Sequence, residues 1–229
     1  MLSTMEELLL IAIDDETGQM NASESIHFGL AGAIIMELTS KGCLDYQKGK
    51  LVFLDQTDAG DKLLNESLAF LREKHNNGKL RNLKYWVEKL GNEIHRKKLH
   101  LSYIDRLIDK GIIKQEETKF LFFFTKDVYP SLKTGKENAI RAKVKEAVLD
   151  DSQEVDEQTM VLIGLLKACS LAKTIFSKDE YKIANKKINE MMKNNPHGKA
   201  VSDTIQAMEA AVIAIITAAT VISTTSSSS

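Results

Sequence analysis

"LIDKGIIKQEETKFLFFFTKDVYP", Leu107 to Pro130, is the stretch on which the fold turns. It starts like the end of a helix, meets Gly111, and continues as two apolar pieces around the polar run "KQEET". Four of the chain's eight phenylalanines fall within the five residues Phe120 to Phe124. A strand with one buried face alternates apolar with polar side chains, and this one does not. Both of its faces need cover, from the chain's own core, a second copy of the chain, or lipid. An earlier stretch shows what kind of unit it is. "LTSKGCLDYQKGKLVFL", from Leu38, falls on "LIDKGIIKQEETKFLFF", from Leu107, at a constant offset of 69 positions with no gap. Leu38 meets Leu107, Lys41 meets Lys110, Gly42 meets Gly111, Leu44 meets Ile113, Lys50 meets Lys119 and Leu51 meets Phe120. Each copy predicts a helix closed by a left-handed glycine, then a strand, a polar turn and a second strand.

Outward from these two units the chain reads as helical, in keeping with only two prolines in 229 residues. Thr4 and Glu7 stand at capping-box spacing before an apolar run. Ile26, Leu30, Ile34 and Leu38 recur every four residues. A third helix is expected from about Asp58 to Lys74, stopped by "HNNG". Leu80, Leu83, Val87 and Leu90 mark a fourth, and Leu101, Ile104, Leu107 and Ile108 a fifth. A long apolar helix is expected from Asp156 through Phe176, and a capping box at Ser177 and Glu180 opens another to about Lys193. "AMEAAVIAIITAATVI", Ala207 to Ile222, carries Glu209 and falls short of the ~20 apolar residues of a membrane span, so a buried helix is expected. The expected fold class is mainly α: a helical bundle with two short β-hairpins, the second hydrophobic and projecting. One domain is expected over 1–222, with 223–229 a disordered Ser/Thr tail.

Charge excludes some partners. With 31 basic and 32 acidic side chains, the chain has no overall field to attract nucleic acid or membrane, so electrostatic function must come from local clusters. Cys43 and Cys169 match no metal or redox spacing and read as buried, reduced thiols in a cytoplasmic protein. "MLSTMEELLLIAIDDETG" has acids where a secretory leader carries lysine or arginine. Nucleophile elbow, Walker loop, HExxH and GxGxxG are all missing, so no enzyme activity and no cofactor are expected. "DDETG" reads as a solvated turn closed by Gly18 rather than a cation or catalytic site, and the five-residue spacing of His95 and His100 does not suit a metal.

One cluster does stand out. Lys79 to His100, "KLRNLKYWVEKLGNEIHRKKLH", holds seven Lys/Arg against two Glu, together with Tyr85 and the single tryptophan, Trp86. It is a solvated helix face or an anion site, and near an anionic bilayer each cation contributes about 1 kcal/mol. A second basic run, Lys133 to Lys145, follows the aromatic hairpin. Lys114, Lys119 and Lys126 flank the aromatics, an arrangement suited to a wedge whose tip enters lipid while its base meets headgroups. Core burial and self-association remain open beside that reading.

At these residues the chain resembles the Golgi phosphoprotein 3 family, from about Leu2 to Ala214. The resemblance rests on "MEELLLIAIDDETG", "GLAGAIIMELTSKGCL", "LIDKGIIKQEETKFLFFF", "EAVLD" and "TMVLIGLLKACSLA" in that order. It implies a helical bundle with a projecting hydrophobic hairpin. It also implies a peripheral protein on the cytosolic face of a membrane, binding phosphatidylinositol 4-phosphate and the cytosolic tails of membrane proteins. By the same resemblance, residues 114–125 form the hairpin that oligomerises or inserts, through Phe120, Leu121, Phe122, Phe123 and Phe124. The family's pocket tryptophan lines up with Ala22, and the arginine of its "GLxG" helix with Ala31. Two further pocket arginines line up with Lys97 and His100. That leaves a positive area without the forked geometry that grips a phosphate bidentately. The expected ligand is therefore an anionic phospholipid membrane met by Arg96, Lys97, Lys98 and His100, with no metal.

Two other classes stay in view. Helix, turn and β-ribbon also describe a winged helix on nucleic acid, but the segment before the first wing has a single lysine and four phenylalanines suit phosphate poorly. An adaptor that binds protein tails without lipid specificity is the other.

Overall fold

The computed structural model describes residues 1–21, 25–75, 79–120, 124–150 and 154–193, then 206–207, 209–210, 212–214 and 217. α1 (Thr4–Ala12) begins at Ser3, whose extended backbone and hydroxyl form a capping box with Glu6. The box therefore sits one residue ahead of the expected Thr4–Glu7 pair. Thr4 is already helical, and Glu7 is buried, accepting a hydrogen bond from Gln158 at 3.1 Å. Burial raises the Glu7 pKa, against the lowering effect of the Lys143 charge and the Gln158 bond.

α2 (Ile26–Ser40) is the central helix, packed against α1, α4 (Leu83–Lys97) and α7 (Glu157–Ala168). A helix apolar on all sides has to be buried, and small residues let its neighbours come close. A Cβ on Gly29 would lie 2.5 Å from Cys169 Sγ, and one on Gly91 of α4 would lie 2.3 Å from the Phe28 ring. Both cysteines are buried and free. Burial pushes the Cys169 thiol up to about 12.

α3 (Lys62–His75) starts four residues later than expected. Asp58 holds a turn through Gly60 and Asn65, and Asp61 accepts from the amides of Leu63 and Leu64. Leu80 lies outside α4 and is exposed. α5 (Leu99–Asp109) and α6 (Thr134–Leu149) complete the middle of the chain. The expected long helix through Phe176 breaks after Ala168: Ser170 takes φ +59°, and a 3-10 turn (Ala172–Thr174) precedes α8 (Lys178–Lys193). The Ser177–Glu180 box at the start of α8 is present as expected. The described residues of 206–217 are helical, with Val212 buried; the rest of that stretch and the 223–229 tail lie outside the described residues.

The architecture is mainly helical with two small antiparallel two-stranded sheets, as the fold class anticipated. Among the described residues no helix is long and apolar enough to cross a membrane. The repeat is plainest at the two helix ends. Cys43 N–H donates to the Leu38 carbonyl at 2.9 Å, and Ile112 N–H to the Leu107 carbonyl at 3.0 Å. Gly42 and Gly111, at φ +70° and +60°, close α2 and α5 in the same way. Past the glycines the copies part. β1 (Leu44–Gln47) and β2 (Lys50–Phe53) turn through Lys48 and Gly49, both at positive φ. In the second unit the polar residues expected to turn instead form β3 (Glu116–Phe120), paired with β4 (Phe124–Val128).

Candidate functional site

The predicted headgroup residues gather at one corner. α4 ends and α5 begins at Lys98, which adopts φ +53° and serves as both caps; its own N–H donates to His95 O and Ile94 O, and its carbonyl accepts from Leu101 N–H. Arg96, Lys97 and Lys98 are exposed there, and His100 is half-buried. Glu93, buried one turn back, accepts from Arg96 (2.7 Å) and from Lys97 (2.9 Å). Burial works against ionising Glu93, but the Arg96 and Lys97 hydrogen bonds win and hold its pKa below the usual range. His100 is shifted the other way. Burial first, then the charges of His95 and Lys98, depress its pKa, so it stays neutral at pH 7 and offers a hydrogen bond rather than a charge. Three cations against one carboxylate leave the corner positive.

Residues that sequence reading missed complete the surroundings. His27, in the first turn of α2, lies 4.9 Å ring to ring from His95, so the start of the "GLAG" helix sits beside the corner. The signal was present, since His27 stands two residues ahead of that motif, but only packing shows which helix it faces. Toward the start of α4, Arg81, just ahead of the helix, and Lys89, within it, both lie over the Tyr85 ring, at 4.9 and 5.7 Å. Trp86, by contrast, is buried in the core with its edge toward Phe53. An open groove of about 700 Å³ runs between α3 and α4. Phe70, Glu73 and Lys74 line one side, and Lys89, Arg96 and Lys97 the other. Of the remaining pocket positions, Ala31 is wholly buried on α2 and Ala22 lies outside the described residues.

The second basic run behaves differently. Arg141 binds Glu137 (2.7 Å), Asp15 (3.4 Å) and the Thr174 carbonyl (2.8 Å). Lys143 meets Asp156, and Lys145 meets Glu180. These cations fasten α6 to its neighbours instead of forming a free patch. Burial and a hydrogen bond with Asp15 raise the Glu137 carboxyl to about 7, against the pull of Arg141. "DDETG" is a turn, as expected: the Asp14 carboxylate accepts from the Thr17 amide and hydroxyl. Among the described residues no cluster suits a metal ion.

The second hairpin is clamped at its base and open beyond it. Tyr129 N–H donates to Gly18 O at 2.7 Å, and Lys114 N–H to Pro130 O at 3.1 Å. Gly18 is required here, because a Cβ would meet the Tyr129 and Pro130 nitrogens at 3.0 Å. Val128 and Tyr129 are buried, whereas Glu116, Glu117 and Thr118 are all exposed, as are Thr125 and Asp127. Successive strand residues point to opposite faces, so three exposed neighbours in a row mean that neither face is covered there. The register sets Phe120 opposite Phe124. Leu121, Phe122 and Phe123 lie outside the described residues, as do the side chains of Phe120 and Phe124.

Comparison with known proteins adds independent findings. Residues 4–208 match the family model described as Golgi phosphoprotein 3 (GPP34). The chain is 25% identical over 177 residues to vacuolar protein sorting-associated protein 74 of Schizosaccharomyces pombe, covering 68% of this chain and 50% of that one. It is 23% identical over 175 residues to the protein of the same name from Eremothecium gossypii, covering 67% and 51%. The chain thus aligns with about half the length of these relatives.

Proposed function

The chain belongs to the Golgi phosphoprotein 3 family, and from that premise we propose that it is a non-enzymatic peripheral membrane protein that binds anionic phospholipid headgroups. The observation that carries this reading is the second ribbon, where Glu116, Glu117, Thr118, Thr125 and Asp127 are all exposed beyond the buried base at Val128, with Phe120 and Phe124 paired at its far end. Fully burying one phenylalanine contributes ~1.5–3 kcal/mol, so a few rings give reversible attachment. Arg96, Lys97 and Lys98 supply the electrostatic contact, and neutral His100 a hydrogen bond. Each contact is weak alone; together they favour surfaces that offer both charge and an apolar interface. Self-association through 114–125 would multiply such a contact.

Ala31 in the core and lysine in place of arginine at position 97 argue for anionic lipid in general over phosphatidylinositol 4-phosphate in particular. The site of action is then the cytosolic face of a membrane. A second reading, an adaptor for protein tails, draws on the open groove between α3 and α4, where Phe70 sits among side chains of both charges suited to an extended peptide.

Vesicle co-sedimentation tests the main reading. Binding should rise with phosphatidylserine, fall with salt, and gain little when phosphatidylinositol 4-phosphate replaces phosphatidylserine at equal charge. Replacing Phe122 and Phe123 with serine should weaken binding and leave the melting temperature unchanged. Equal binding to neutral and anionic vesicles would sink the proposal.

A further inference from the structure

α8 carries a feature that the corner and the ribbon do not use. Ala184, Ile188 and Met192, four residues apart, are buried against the bundle. On the opposite side Lys178, Lys182, Lys186 and Lys193 are all exposed. Spacings of four and seven residues align them in one stripe, about 22 Å long at 1.5 Å per residue. Among the described residues, only Lys186 of these four pairs with a carboxylate, and that pair to Glu190 is long (3.8 Å) and exposed. Beside the stripe stands Ile183, among the most exposed large apolar side chains of the described residues at 58%.

We infer that this lysine ladder is a second membrane-facing surface, laid flat on an anionic bilayer, with Ile183 reaching the headgroup boundary. The inference rests on the membrane reading above and adds a separate contact to it. The chemistry favours an extended anionic surface over a single bound phosphate. The ladder is convex and holds only point-charge lysines, with no arginine fork and no cleft to close around one ligand. It also favours lipid over nucleic acid, because an exposed isoleucine flanks the cations and the one nearby ring, Tyr181, is partly buried against the core, whereas single-stranded nucleic acid is gripped by stacking on open rings. Asp179 and Glu190 border the stripe on the Ile183 side, so its net charge is positive but modest. The resulting contact is reversible and sensitive to salt.

The test uses the full chain and vesicles of phosphatidylcholine with and without phosphatidylserine at physiological salt. Three proteins are compared: the native chain, the triple variant Lys178→Gln, Lys182→Gln, Lys186→Gln, and the corner variant Lys97→Gln, Lys98→Gln. Glutamine and lysine have similar helix propensity, so α8 persists and circular dichroism should be unchanged. Each lysine lost should weaken binding to the anionic vesicles roughly fivefold, and Ile183→Ser should weaken it further. If the triple variant binds as the native chain does while the corner variant is impaired, the ladder is wrong and the corner stands. The converse result supports the ladder and removes the corner. Ladder-dependent binding to a DNA duplex in place of vesicles would overturn the lipid assignment.

Discussion

Beyond Gly42 the chain turns at Lys48 and Gly49 and lays Leu44 and Leu51 into the core between α2 and α4. Beyond Gly111 it passes straight through the equivalent positions, Glu117 and Thr118, and pairs back only from Phe120. The two units share the backbone hydrogen bonds of the helix end and an antiparallel hairpin after it, but differ in where that hairpin turns and what it buries. Turn chemistry explains the divergence. A two-residue hairpin turn of this kind needs two residues at positive φ, which lysine followed by glycine can supply and glutamate followed by β-branched threonine resists. A turn moved outward makes a longer ribbon that outruns the helices able to cover it. Even the matched lysines diverge: Lys41 pairs with Glu37 on its own helix, while Lys110 reaches Glu6 of α1. One hairpin therefore places two leucines in the core, while the other, beyond Val128, exposes every side chain described on its strands.

That contrast can be broken most forcefully at the packed hairpin. Leu51→Ala should cost about 2–5 kcal/mol, because Leu51 is wholly buried. Thr118→Ala on the open ribbon should stay within about 0.5 kcal/mol. Chemical denaturation of both variants measures the gap, and similar losses would mean that the second ribbon is packed after all. The shared caps give a smaller effect of equal size in both units. Gly42→Ala and Gly111→Ala should each cost about 1 kcal/mol, since both sit at positive φ where an added Cβ meets no clash. Unequal costs would show that only one cap bears on stability. The smallest effect lies within the ribbon, where Glu117 faces Asp127 across the strands. Glu117→Lys should relieve that like-charge pair, worth a few tenths of a kcal/mol, and slow amide exchange at residues 116–118 without moving the melting temperature.

Much of the bundle was legible beforehand because its helices announce themselves by four-residue periodicity and glycine stops. Boundaries were less so. Thr4 and Ser3 offer the same hydroxyl, and only the extended backbone at Ser3 picks the cap. The break at Ser170 carries no glycine or proline to give it away. The site was legible in part. The run "HRKKLH" located the corner, but not the buried Glu93 that binds two of its cations, nor the burial that keeps His100 neutral. The second basic run shows the same limit: charge counted along the sequence ignores carboxylates arriving from Asp15, Asp156 and Glu180.

By itself the sequence determined the helical class, the duplicated helix–glycine–hairpin unit and the family, since local periodicity, left-handed glycines and motif order require no knowledge of what packs on what. Tertiary structure decided which hairpin is covered, which lysines remain unpaired and which helix faces stay open. Those are properties of neighbours brought together from far apart in the chain, where burial and ion pairing are set by distance in space.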